Sequence, residues 1–286
     1  MQWSQAISAF IGHESALDQI RGTARFIDDL PEVAGSLHLA PVCSPIAHGR
    51  LISIDAEQAL GMPGVQALIQ AGDLNGPNEI ANMAGDEPIL AQHEVSYAGQ
   101  VVALVAARSH REALAAAAKV KLHIEVLPSV LSIEQAMEAR AWITPPVLLE
   151  RGDTDGAMAK AAHRLKAQRW IGGQEHFYLE GQIAYAIPEE QDAMLVHSST
   201  QHPGEVQHWV AHALGLASHA VTVECRRMGG GFGGKESQGN WLAIACAVAA
   251  ARTGRPCKMR YDRDDDMVIT GKRHDLRILN RAGFDE

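Results

Sequence analysis

Residues 226–236 read Arg-Arg-Met-Gly-Gly-Gly-Phe-Gly-Gly-Lys-Glu, and this loop constrains the chain more than any other segment. Five glycines surround one aromatic, Phe232, between an apolar strand-like run at 220–223 and an apolar helix-like run at 241–251. Glycine lacks the Cβ that bars left-handed backbone, and it lets main chain approach a ligand closely. A strand, a glycine loop and a helix in that order gather backbone N–H groups and a positive helix end at one point. That setting suits an anionic ligand. The loop is therefore a candidate cofactor cradle.

Two phosphate-binding patterns fit it in part. Gly229 to Gly234 satisfies G-x-G-x-x-G, but a dinucleotide site also wants an acid about 20 residues further on for the ribose hydroxyl. The stretch around Ala251–Pro256 offers none. Gly229 to Lys235 satisfies G-x-x-x-x-G-K, yet Glu236 stands where Ser or Thr should hold magnesium, and a carboxylate there repels a nucleotide phosphate. Taken by itself, the loop also reads as a tight turn that needs several glycines.

The 286 residues allow two domains or one large one, with 47% apolar and 21% charged residues as in soluble globular proteins. A net charge of −9 argues against nucleic acid or an anionic membrane as partner. No apolar run reaches the roughly 18 residues of a membrane span. The start, Met1-Gln2-Trp3-Ser4, lacks the basic-then-apolar layout of a signal peptide. Cys43, Cys225, Cys246 and Cys257 are scattered, with no C-x-x-C pair. This suits reduced thiols in the cytoplasm and excludes a self-contained four-cysteine iron–sulfur or zinc site by the usual spacings.

Strand-like and helix-like segments alternate from about Gly22 to Val126. The run at 101–106 fits a buried strand, Ser109-His110-Arg111-Glu112 forms a capping box before the alanine-rich helix at 113–119, and Val120, Leu122, Ile124 and Val126 alternate with polar residues. Residues 129–170 read as a connecting region with a short helix around 133–140, stiffened by Pro145-Pro146. A second unit, holding the glycine loop, begins near Gln168. Without a regular βαβ rhythm, the class is α+β.

Three segments occur in order: Gly172-Gly173-Gln174-Glu175-His176-Phe177-Tyr178-Leu179-Glu180, Ser199-Thr200-Gln201-His202-Pro203 and Arg226–Glu236. Together they closely resemble the molybdenum-binding subunit of the xanthine dehydrogenase/xanthine oxidase family. Gly22-Thr23-Ala24-Arg25-Phe26-Ile27-Asp28-Asp29-Leu30-Pro31 and Ser44-Pro45-Ile46-Ala47-His48-Gly49-Arg50 resemble that family's aldehyde oxidase/xanthine dehydrogenase hammerhead domain. The resemblance runs from about His13 to Arg273. It implies a hammerhead domain over 1–130, a linker over 131–165 and the N-terminal part of a molybdopterin-binding domain over 166–286.

The resemblance also implies roles. Gln201 matches a glutamine whose amide donates to an oxygen ligand of molybdenum. Gly231, Phe232 and Gly233 match the step whose backbone N–H groups face molybdopterin, so Gln201 and Phe232 lie near the metal through its other ligands. Glu236 matches a carboxylate that faces substrate in purine-oxidising members and is usually lacking in aldehyde-oxidising relatives. The implied reaction hydroxylates xanthine or hypoxanthine with oxygen from water, and electrons leave through iron–sulfur and FAD partners. The alternatives are an aldehyde or other N-heterocycle oxidoreductase of the same family and a non-catalytic truncated fragment. The family's catalytic glutamate base, substrate-binding arginine and purine-sandwiching aromatics match nothing here. The expectation is thus a truncated or split subunit with half an active site, inactive alone, needing the remaining C-terminal molybdenum domain.

Other residues have plainer readings. His208 and His212, four apart on a helix whose other stripe is Val206, Trp209, Val210, Ala213 and Leu214, read as solvated rather than zinc-binding. Asp262, Asp264 and Asp266 open like a calcium loop, but Met267 and Arg273 replace its glycine and its bidentate glutamate. They read as a solvated turn or a salt-bridged strand end. His176 reads as a structural histidine of the pocket wall, Glu180 as a structural carboxylate and Cys225 as an inert thiol.

Overall fold

The computed structural model describes residues 13–80 and 87–285. The signal-peptide reading of Met1–Ser4 lies outside them. In chain order the first strands are β1 (Leu37–Cys43), β2 (Gly49–Asp55), β3 (Val65–Ile69), β4 (Glu94–Val95), β5 (Val101–Ala107) and β6 (Lys121–Val126). Then come β7 (His163–Ile171), β8 (Ile183–Pro188), β9 (Met194–Ser198), β10 (Val221–Glu224), β11 (Cys257–Arg260) and β12 (Leu276–Phe284).

The apolar run read as a buried strand is β5, and every residue of it is buried. Such a strand must be covered on both faces and have neighbours on both edges. It lies between β1 and β3 in a seven-stranded mixed sheet of order β10-β9-β8-β11-β1-β5-β3. This sheet takes three strands from before residue 130 and four from after residue 165. The seam is the parallel pairing of β1 with β11, Leu37 opposite Cys257 and Leu39 opposite Met259. A buried lysine reinforces it: Lys258 Nζ lies 2.9 Å from Asp28 Oδ1 and 3.1 Å from Glu32 Oε1.

Two helices cover the part of the sheet that carries the site. Helix Gln238–Thr253 is apolar all round and buried from Leu242 to Ala250, as expected of a helix enclosed on every side. It packs on β8, β9 and β11 and on helix Pro203–Leu214. The latter buries Val206, Trp209, Val210, Ala213 and Leu214, the stripe read from sequence. His208 is exposed and His212 half-buried on the other side, and among the described residues no cluster of three or more His, Cys, Asp or Glu could hold a metal ion.

A smaller antiparallel sheet, β4-β2-β6, packs Leu51, Ile54, Leu122 and Ile124 against Val95 and Val102. Its β6 shows the alternation expected of it, with Leu122 and Ile124 half-buried between exposed neighbours. Ser109 caps helix His110–Ala117, its Oγ accepting the Glu112 N–H. The Glu112 carboxylate returns to the Ser109 hydroxyl, so the helix starts three residues earlier than expected.

The 129–170 region differs from the expectation of a connector with one short helix. Helix Ile133–Ala139 is there, but so are a second helix, Thr154–Lys160, capped by Asp153, and the long strand β7. Strand β7 pairs antiparallel with β12, from Ile171 opposite Leu276 to His163 opposite Phe284, and all its residues are exposed. With neither face buried, its sequence carries no period-2 signal, which is why it read as connector.

Core and ribbon should respond differently to truncation. Leu104→Ala in β5 should lower the unfolding free energy by about 3 kcal/mol. Leu279→Ala in β12 should stay within about 0.5 kcal/mol. Urea unfolding followed by circular dichroism of the two variants makes the comparison.

Candidate functional site

The site forms where two strand ends meet the start of the buried helix. Strand β9 ends at Ser198 and releases Ser199-Thr200-Gln201 before helix Pro203–Leu214, while β10 ends at Glu224 and releases the glycine loop before helix Gln238–Thr253. The parallel pairing of β9 with β10 places both strand ends on the same edge of the sheet, Val223 opposite Val196. Crevices at the carboxyl ends of parallel strands are natural ligand sites.

Gln201 sews the two segments together. Its Oε1 accepts the N–H of Gly233 at 3.0 Å and of Lys235 at 3.2 Å, and its own N–H donates to the Lys235 carbonyl at 2.9 Å. The side-chain oxygen is thereby spent on the loop, and Nε2 has no acceptor among the described residues. Gly231 is buried against this amide, and a Cβ there would lie 2.6 Å from Gln201 Oε1. The sequence-predicted Gln201, Gly231, Phe232 and Gly233 are therefore neighbours. Glu236 is close too: its Oε1 lies 3.9 Å from where a Gly233 Cβ would stand.

The loop backbone is unusual at its centre. Phe232 has φ 54° and is 76% exposed, and Gly233 has φ 87°. The Gly231 carbonyl accepts the Gly234 N–H at 2.7 Å, closing a tight turn with Phe232 at its tip. The Phe232 N–H has no acceptor among the described residues, whereas the Gly233 N–H, expected to face outward as well, is turned to Gln201. The following helix begins at Ser237 without a side-chain cap, so its first N–H groups are also available.

Beneath the loop lies a polar interior. Tyr178, buried, donates through its hydroxyl to Asp266 Oδ1 at 2.7 Å. Gln182 Nε2 donates to the Tyr178 oxygen and to the Gly234 carbonyl, both at 2.9 Å. Burial pushes the Tyr178 phenol up, and the hydrogen bond and charge of Asp266 add to this. Asp266 is thus no solvated turn residue. Asp262 caps helix Arg263–Ile269, and that helix carries Asp266 inward to 1% exposure. His176 is half-buried, stacked alongside Tyr178 with ring centroids 6.3 Å apart, and supports Gly234 as a wall residue.

Lys235, weighed from sequence only as a nucleotide-loop lysine, points the other way. Its side chain is wholly buried, with Nζ 3.0 Å from Glu180 Oε2 and 2.8 Å from Ser199 Oγ. Burial pushes its ammonium down, and the charge and hydrogen bond of Glu180 oppose this. It cannot serve a phosphate. The signal that would have found it is Glu180, the acid closing the Gln-Glu-His-Phe-Tyr-Leu-Glu segment. Cys225 donates to the Thr200 carbonyl at 3.3 Å, consistent with a structural thiol.

Comparison with known families matches this geometry. Residues 21–128 match the aldehyde oxidase and xanthine dehydrogenase a/b hammerhead domain, and residues 140–286 match the molybdopterin cofactor-binding domain. The chain belongs to the xanthine dehydrogenase/aldehyde oxidase family of molybdenum hydroxylases. It is 41% identical over 275 residues to xanthine dehydrogenase of Calliphora vicina, covering 95% of this chain and 20% of that protein. It is likewise 41% identical over 274 residues to aldehyde oxidase 4 of Cavia porcellus, with the same 95% and 20% coverage.

Among solved structures, the aldehyde oxidoreductase of Desulfovibrio gigas superposes with a TM-score of 0.83 at 30% identity, covering 94% of this chain and 32% of that one. Quinoline 2-oxidoreductase of Pseudomonas putida 86 gives 0.84 at 27%, covering 96% and 37%. The chain thus spans about a fifth of the curated relatives it matches. Among the described residues no helix is long and apolar enough to cross a membrane.

The residues present fit a molybdopterin. A side-chain amide donor without an acceptor, a backbone N–H at an exposed turn and an uncapped helix start converge on one edge. The space over Gly233 is open: apart from its chain neighbours, the nearest atom to its Cβ position is Glu236 Oε1 at 3.9 Å. All are neutral donors or dipoles, suited to an anionic cofactor that brings its own metal ligands.

The wall under the loop has no room for a methyl group. A Cβ added at Gly234 would lie 2.6 Å from Tyr178 Cε1 and 2.7 Å from His176 Cγ, whereas one at Gly172 would meet nothing within 4 Å. Gly234→Ala should cost about 1–3 kcal/mol, and Gly172→Ala should be close to neutral. Thermal melts of both variants against the parent give the test.

Proposed function

We propose that this chain forms one wall of a purine hydroxylase site, acting on xanthine or hypoxanthine. The observation that carries the reading is Glu236, an exposed carboxylate adjoining the turn that holds Gln201 and Phe232. In this reading Gln201, Gly231, Phe232 and Gly233 form the cofactor cradle and Glu236 contacts substrate. When bound, the molybdenum cofactor would supply the oxygen transfer to a ring carbon and accept the two electrons.

The protein residues have simpler tasks. Gln201 Nε2–H and the Phe232 N–H would hold the anionic cofactor as hydrogen-bond donors, without competing as metal ligands. The start of helix Gln238–Thr253 stabilises negative charge there. Gly233 leaves room for the cofactor, and the Phe232 ring shields one side of it from water. The Glu236 carboxylate accepts an N–H of the purine and can hold a proton at a ring nitrogen as charge develops on the heterocycle.

The family resemblance supports division of the chain into a hammerhead unit over 1–130, a connection over 131–165 and a molybdopterin-binding unit over 166–286. The one-fifth coverage of its relatives supports a need for further residues. Turnover needs the rest of a molybdenum domain, which brings the base. Electrons pass to iron–sulfur and FAD partners, in the cytoplasm.

Equal identity to an aldehyde oxidase favours a second reading, in which the substrate is an aldehyde or another N-heterocycle. The two separate on one substitution. In the assembled enzyme, Glu236→Ala should lower kcat/KM for xanthine about 100-fold while leaving an aromatic aldehyde within about threefold. An assembled enzyme that oxidises the aldehyde but not xanthine, with Glu236→Ala leaving its rate unchanged, would favour the second reading.

The 286-residue polypeptide assayed alone should show no xanthine-dependent dye reduction. Rates equal to those of the assembled enzyme would overturn the need for further residues.

A further inference from the structure

A buried ion pair ties down the glycine loop, and the chemistry proposed above makes no use of it. Lys235 Nζ donates to Glu180 Oε2 and Ser199 Oγ and lies 4.7 Å from the centroid of the Tyr178 ring. The same Glu180 oxygen accepts the Gly229 N–H at 2.8 Å and the Ser199 hydroxyl at 2.6 Å. One carboxylate oxygen thus holds the first glycine of the loop, the lysine that closes it, and the strand end leading to Gln201. Three segments distant in sequence meet there.

Packing does not account for a lysine at this place. An ammonium taken out of water is costly, and an apolar side chain of equal length would fill the space without that cost. What the charge adds is direction. Its donors must point at their acceptors, so the loop and the strand end hold one relative position. With the lysine stem anchored inward, the next side chain, Glu236, is turned to the surface.

We propose that Lys235, acting through Glu180 and Ser199, is the positioning residue of the cofactor cradle. It sets the register between the 229–235 loop and Ser199–Gln201, so that Gln201 Nε2 and the Phe232 N–H face one ligand. This rests on the reading of Gln201 and Phe232 as cofactor contacts. Lys235 itself touches neither cofactor nor substrate.

The test uses the full protein purified from a host that makes molybdopterin, as Lys235→Met, Ser199→Ala and the double variant Lys235→Met/Glu180→Gln. Three quantities are read: amide hydrogen exchange at positions 233 and 235, molybdenum and pterin per chain, and the melting temperature. Lys235→Met should speed exchange at both amides by about tenfold, Ser199→Ala by a smaller factor, with bound pterin falling in step.

The double variant removes both buried charges and should regain the parent melting temperature. A purely structural pair then predicts recovery of exchange protection and cofactor. A positioning pair predicts that both stay impaired. Parent-like exchange in all three variants, or cofactor recovery alongside melting temperature in the double variant, overturns the proposal. A parent protein free of molybdenum and pterin would sink the cofactor reading alone, since the exchange measurement still decides the role of Lys235. If Lys235→Met does not fold, the other two variants carry the test.

Discussion

Everything in this structure hangs on the parallel pairing of β1 with β11. Hydrogen bonds between Leu37–Leu39 and Cys257–Met259 join strands that lie almost at opposite ends of the described chain. Parallel neighbours require a long crossover between them. Here the crossover is most of the molecule, and it includes the smaller sheet, the exposed 129–170 region and the glycine loop. Once the seam closes, β8 pairs antiparallel with β11 and β9 antiparallel with β8, and β10 adds to β9 in parallel. That last step sets the Ser199–Gln201 and 226–236 segments on one edge. The geometry of the candidate site follows from sheet order.

The seam is also where burial and charge act together. Lys258 lies among apolar strand residues with its ammonium between Asp28 and Glu32, and Arg260 reaches Asp28 at 2.6 Å. Burial tends to raise the Asp28 carboxyl, but the hydrogen bonds and charges of Lys258 and Arg260 more than offset it, leaving it below the ordinary aspartate value. These contacts tie the segment before β1 to β11 beside the backbone pairing.

What could be read in the sequence was what depends on near neighbours. The apolar run of β5, the Ser109 cap, the alternation in β6, the stripe on helix Pro203–Leu214 and the strand–loop–helix order around 226–236 are all local patterns, and the structure contains each. The site residues were legible only through motifs that resemble a family, since nothing local shows that Gln201 lies beside Gly231. The β1–β11 seam was hidden because periodicity says nothing about partners far away in sequence. Strand β7 was hidden because it buries neither face. Asp266 was misread, and the burial of Lys235 was not foreseen, for a shared reason. A charged side chain is taken to be solvated unless its partner is known, and Glu180 and Tyr178 lie far from them in the chain.

Phe232 carries one more consequence. Its left-handed backbone costs an L-residue about 1 kcal/mol that a glycine would not incur. The chain therefore places an aromatic at the tip of the turn against its own folding preference. Any laboratory evolution that rewards heat resistance alone will tend to replace this ring by glycine, yielding sturdier molecules with a blunted cradle. Durability and the ligand recognition proposed for Phe232 are set in opposition at this one residue, and a screen that reports only the first will select against the second.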